Sequence, residues 1–218
     1  MYLVKALTAA SGPFALGEKN RSYAAGQFFT IEDEVVGYYT NNPAAFTVVG
    51  GTKNGATVTQ VDGASGIVHT RLTCVATPIS IADDAGVAQY GGVKVFDFQE
   101  GLIHILGAVI DGEITLGTTG TITATWAGGI ALGTVVATTG ATLTSTEANI
   151  MAENDVAAAT ASVAVVDAVS TAAATINGTA TAADMYLNLV VDDHASHTAG
   201  TGSFTGTIDF AFILIGDK

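Results

Sequence analysis

The chain predicts an all-β protein: an antiparallel β-sandwich, jelly-roll-like, preceded by a small N-terminal β unit or arm. Three observations carry this. Thr, Ala, Gly and Val dominate, and long segments lack the helix formers Glu, Lys, Leu and Arg. Glycines punctuate the chain at intervals of about 8–12 residues, the turn spacing of sandwiches and barrels. Several segments alternate apolar with polar residues, as a pleated strand with one buried face requires.

Taken in order, the first residues are loop-rich around Ser11-Gly12-Pro13 and Ala24-Ala25-Gly26. Strands are predicted over 27–31, 35–40, 46–50 and 56–61. Asn54-Gly55 between the last two is a strong hairpin signal, because both residues tolerate φ > 0. The small, flexible Asp62-Gly63-Ala64-Ser65-Gly66 sets a boundary between a unit over 1–66 and a sandwich over 67–218. Within the sandwich, strands are predicted over 67–76, 79–82, 93–98, 102–110, 113–116, 120–127, 133–138, 141–144, 157–169, 185–191 and 203–215. Thr121, Thr123 and Thr125 fall on one face of theirs, with Ile122, Ala124 and Trp126 opposite. In the last strand Phe204, Ile208, Phe210, Phe212 and Leu214 share one face. Thr205, Thr207 and Asp209 share the other, which turns apolar at Ile213 and Ile215. Segment 102–110 is apolar on both faces, so it reads as covered on both sides or lying at an interface. Asp111-Gly112 reads as the turn after it. Thr144-Ser145-Thr146-Glu147 has capping-box spacing, and 181–186 reads as a second short helical turn.

Charge divides the chain at nearly the same place. Residues 1–71 carry five bases and five acids; residues 72–218 carry Lys94 and Lys218 against 15 acids, which accounts for the whole net charge of −13. The pI is about 4.3. Nucleic acid and anionic membrane surfaces need clustered Lys and Arg, so neither is expected as a partner. Only 12% of residues are charged against 49% hydrophobic, so the chain can bury a substantial core. The segment 1–12 lacks an apolar signal core, and no run of 18 apolar residues reads as a membrane span. The single cysteine permits no intrachain disulfide, which leans toward assembly in a reducing cytoplasm.

Candidate chemistry is sparse. Asp192, Asp193, His194 and His197 offer four ligand-type side chains in six residues, a weak cation site or simply a polar loop. Asp83 and Asp84 read the same way, with an Asx turn as the plainer alternative. Asp97 and Glu100 form a candidate carboxylate pair. Cys74, with His69 or His104, supplies the elements of a thiol–imidazole pair, although a free thiol in an apolar strand is ordinarily a small core residue. His104, between Leu102 and Leu106, reads as a core or interface histidine. Gly91-Gly92 has no following helix and reads as a turn, not a phosphate cradle. On a strand, adjacent Tyr38 and Tyr39 point to opposite faces, which offers one of them as an interface anchor. No catalytic, cofactor-binding or metal residue is assigned, and no cofactor is expected.

Three segments carry a resemblance: DDAGVAQYGGVKVFDFQEG over 83–101 continuing through IHILGAV over 103–109, TAADMYLNLVVDD over 181–193, and GTIDF over 206–210. Together they resemble virion proteins of tailed bacteriophages, in particular the capsid decoration (cement) type, across about residues 70–218. Residues 1–65 lie outside the resemblance. It implies a non-enzymatic structural protein on the outer surface of a virion, assembled in the host cytoplasm. It would be a homotrimer bound across subunits of the major capsid protein. The alternatives are a tail, fibre or other virion surface component, and a carbohydrate-binding β-sandwich module. The last would need aromatic platforms, and Trp126 is the single tryptophan.

Overall fold

The structure is a computed structural model of the chain. It describes residues 2–17, 19–52, 54–64, 67–84, 88–98, 100–116, 127–138, 140, 142–156, 163–170, 174–192 and 198–216. The strands are β1 (Tyr2–Ala6), β2 (Ala10–Gly12), β3 (Arg21–Tyr23), β4 (Phe28–Ile31), β5 (Phe46–Thr52), β6 (Ala56–Ala64), β7 (Ile67–Asp84), β8 (Ala88–Phe98), β9 (Gly101–Leu116), β10 (Gly128–Gly133), β11 (Met151–Val156), β12 (Val163–Ser170), β13 (Ala174–Gly178), β14 (Asp184–Asp192) and β15 (Gly200–Gly216). A 3₁₀ turn at Asp33–Val35 runs into α1 (Val36–Thr40), the one α-helix among the described residues, and a second 3₁₀ turn spans Ser145–Glu147.

Thirteen of these strands join one sheet, and β2 and β3 form a separate hairpin. The main path runs β11-β10-β14-β8-β7-β15-β9-β12, with antiparallel pairing throughout. Its two end strands, β11 and β12, follow each other in the chain and touch. The sheet therefore curls over itself into a sandwich-like, nearly closed barrel, a form that leaves few unpaired strand edges. The predicted all-β, antiparallel class is the one observed.

The concave side of this sheet is the main core. Phe204, Ile208, Phe210 and Phe212 are buried there, as their alternation predicts. Phe96 meets Phe210 edge-on with ring centroids 5.1 Å apart, and Phe98 meets Phe212 at 5.5 Å, the packing that ring quadrupoles favour. A second, smaller cluster gathers Val4, Ala6, Tyr23, Ile31, Val35, Tyr39 and Phe46. The 66/67 division falls between β6 and β7, and β6 pairs with the first part of β7, Ile67 to Cys74. Residues on its N-terminal side serve both cores, since Leu3, Ala56 and Val58 pack into the main one.

Several elements depart from expectation, each for a definable reason. Segment 35–40 is helical, not extended. Val35 and Tyr39, four residues apart, both face the small core, so packing overrides the strand preference of Val and Tyr. Asp111-Gly112 is no turn; β9 runs straight through it. Gly112 is there because β15 passes so close that a Cβ would strike the Thr205 carbonyl and lie 2.7 Å from Gly206 Cα. Gly91-Gly92 likewise lies inside β8, where a side chain at Gly91 would collide with the Ser80 carbonyl of β7. The strands expected at 67–76 and 79–82 are one strand, interrupted only by a register shift opposite Phe204/Gly206, where Ala76 takes φ +48°. The strand expected over 133–138 ends at Gly133, and residues 142–144 lie outside any strand. In their place stand β10, β11 and β13, which are Gly-rich or short and give little alternation. Residues 181–183 precede β14 without a helical turn. The small hairpin β2–β3 falls in a segment read as loop. Asn54-Gly55 makes the tight turn expected of it, with φ +56° and +88°, but no hairpin follows among the described residues: β5 pairs with β1 and β8, and β6 with β7. Of the strand over 120–127 only residue 127 is described, and of 157–169 only 163 onward.

Candidate functional site

The convex side of β7, β15, β9 and β12 is the most distinctive surface among the described residues. Register places Arg71 of β7 beside Asp209 of β15, Asp209 beside Val109 of β9, and Val109 beside Val169 of β12. Two-residue periodicity then assigns the rest of the face. Towards one end lie Ile67, Leu102, Leu106, Ile213 and Ile215. Towards the other lie Asp111, Glu113, Thr205 and Thr207. Val169 is 56% exposed, Ile215 60% and Ile67 39%. Scattered exposed apolar residues are ordinary; a contiguous patch marks a contact surface.

The middle of the face is a shallow groove of about 310 Å³ lined by His69, Leu106, Val109, Val169, Asp209 and Ala211 among others. A bulge in β9 shapes it. Register slips between Ala211 and Phe212, so both Leu106 and Gly107 are half-exposed while Ile105 and Ala108 stay buried. Arg71 Nε donates to Asp209 Oδ1 at 2.8 Å, and the carboxylate pushes the guanidinium further above its ordinary value. His69 Nε2 lies 3.8 Å from the same oxygen. His104, further along, has Nδ1 3.0 Å from Thr175 Oγ1. Segment 102–110 is thus covered on one side only, and its outer side belongs to this face.

The same pleat separates the residues of the candidate thiol–imidazole pair. Cys74 points into the core and is 1% exposed, whereas His69 and His104 sit on the convex side. Burial pushes the Cys74 thiol up to about 11, the nearby Thr77 hydroxyl opposing it only in part. A thiol held in that state, with no base on its side of the sheet among the described residues, is not set up as a nucleophile. Asp97 does not partner Glu100. It pairs with Lys94, whose Nζ also contacts Asp184 Oδ1 at 2.7 Å. Burial alone would lower the Lys94 ammonium; the two carboxylates outweigh it and raise it. Asp83 accepts from Gln89 Nε2 at 3.1 Å across the β7–β8 hairpin, a structural bond at the turn. The Asp192/Asp193/His194/His197 cluster and Trp126 lie outside what the described residues reveal. Among those residues no three His, Cys, Asp or Glu side chains gather as metal ligands, and no helix is long and apolar enough to cross a membrane.

Tyr38 and Tyr39 divide their roles through helical, not strand, geometry. Tyr39 is buried and its OH donates to the Pro13 carbonyl at 2.6 Å; burial first, then Tyr23 nearby, raises its phenol above the ordinary value. Tyr38 is 39% exposed and donates to the Ser11 carbonyl at 3.0 Å. Both tie α1 to the β2 segment.

One polar feature escaped sequence reasoning altogether. Asn188 of β14 is fully buried. Its Oδ1 accepts from Ala137 N at 3.0 Å, and its Nδ2 donates to the carbonyls of Val135 at 2.8 Å and Glu147 at 2.7 Å. Glu147 in turn accepts from Thr138 N and Thr138 Oγ1, at 2.7 and 2.8 Å, and reaches back to Thr144 N at a long 3.5 Å, as the capping-box spacing predicts. This network ties the 3₁₀ turn Ser145–Glu147 to the irregular residues 135–138 and to β14. It holds a surface in shape and presents no reactive group.

No family model matches the chain, and neither does any curated protein or solved structure.

Proposed function

We propose that the chain is a structural virion protein that decorates a phage capsid and stabilises the shell by binding across major capsid subunits, with no catalytic activity of its own. The observation that carries this reading is the convex β7–β15–β9–β12 face: an apolar patch around a fixed Arg71–Asp209 pair on a continuous antiparallel sheet. It joins the resemblance of 83–109, 181–193 and 206–210 to decoration proteins. The acid-rich chain suits an outer surface that never meets the packaged genome. The stabilising action is additive: each copy contributes a contact of standard size, and a closed trimer engages several shell subunits at once, so avidity exceeds any single contact.

The test is to delete or strip the protein from particles and heat them. Particles lacking it should release their genome at a lower temperature than complete ones, and adding the chain back should restore the difference. Identical rupture temperatures after verified removal would refute the stabilising role.

A further inference from the structure

We infer that the convex β7–β15–β9–β12 face is the shell-binding surface, and that its partner there is a protein patch of apolar side chains bordered on one side by lysines or arginines. The inference rests on the decoration reading and adds which face is used and what chemistry it meets. Size is the first argument. Three strands spaced about 4.8 Å apart over residues 102–115 at about 3.3 Å each, with β12 beside residues 108–115, span roughly 780 Å². A standard interface needs about 800 Å² per partner. The face alone is sufficient.

Charge is the second argument, and it decides the occupant. One end is apolar, with Ile67, Leu106, Val169 and Ile213; the other carries Asp111 and Glu113, both exposed. A second copy of the chain fits this pattern badly. A face-to-face contact between identical chains is related by a twofold axis in the contact plane. With that axis along the strands, Asp111 and Glu113 oppose their own copies. With it across the strands, they oppose the apolar end. The first costs like-charge repulsion and the second buries carboxylates without partners. A partner with cations opposite the acidic end and apolar groups opposite Val109 and Val169 incurs neither cost. A trimer closed through other surfaces leaves the face free.

The experiment uses full-length protein and shells lacking it, with binding measured by co-sedimentation from 50 to 500 mM NaCl. Val169→Glu, at an exposed site that tolerates folding, should weaken binding at least tenfold. Asp111→Lys with Glu113→Lys should weaken it similarly at low salt and flatten the loss of affinity that the wild-type chain shows as salt rises. Circular dichroism confirms that the variants are folded. If the wild-type chain binds and all variants bind within twofold of it, the assignment of this face is wrong and the decoration reading stands. If Val169→Glu instead dissolves an oligomer of the free protein, the face belongs to a second copy and the inference falls. If the wild-type chain does not bind shells, the decoration reading fails first and the partner assignment with it.

Discussion

Cys74 shows how one side chain's surroundings settle its role. Its position on β7 puts the thiol inside the main core, while the neighbouring His69 projects from the other side. The burial that keeps it inert also makes it a pH-dependent liability. A group whose folded pKa is raised contributes fully below its unfolded pKa, and the contribution is lost as pH climbs towards the folded value. For Cys74 that window runs from 9.0 to about 11, and the gap is equivalent to about 3 kcal/mol. Tyr39, raised by burial in the same direction, adds a loss at still higher pH. Denaturant unfolding followed from pH 8 to 11 should therefore show a steeper fall in the wild-type chain than in Cys74→Ala, the curves diverging above pH 9. Parallel curves would mean that the thiol is not buried as described. At this scale the sequence was only partly readable. A thiol among apolar neighbours announced a core residue, but the Arg71–Asp209 pair joins residues 138 apart, and no local pattern encodes it. Asn188 was equally silent: nothing in Leu-Asn-Leu marks an amide that three main-chain groups require.

Among the elements, strands with strict alternation were legible, and elements shaped by a neighbour's proximity were not. The buried face of β15 could be written down from Phe204, Ile208, Phe210 and Phe212. The glycines of β8 and β9 carry opposite meanings in the two contexts: in isolation they signal turns, and in the sheet they admit an adjacent strand. This distinction predicts two contrasting substitutions. Gly112→Ala drives a methyl into the β15 main chain and should cost about 2 kcal/mol, as overpacking does. Gly37→Ala, in α1 with nothing within 4 Å of an added Cβ, should leave stability unchanged or raise it by about 0.5–1 kcal/mol. Chemical denaturation of the two variants checks both signs. Equal effects would contradict the close β9–β15 approach. The helix over 36–40 was missed because its residues prefer strands, and only the small N-terminal core shows why they coil.

For the whole molecule, composition, glycine spacing and alternation indicated the antiparallel β class, and 102–110 together with Ile213 and Ile215 hinted at an exposed apolar surface. How four strands assemble that surface depended on register, which joins β7 to β15 across more than a hundred residues. The resulting body has a dense aromatic core, satisfied polar groups beneath its loops and one large convex face divided between apolar and acidic ends. On the proposed reading such a body works by contact, and its performance is measured in the assembly it holds. The most direct measurement is an electron-microscopy reconstruction of the intact particle at a resolution that places strands. The account predicts density for this chain on the outside of the shell, with the convex side of β7, β15 and β9 turned towards the capsid subunits. A chain found only on the tail, or seated on the shell with that face towards solvent, would contradict it.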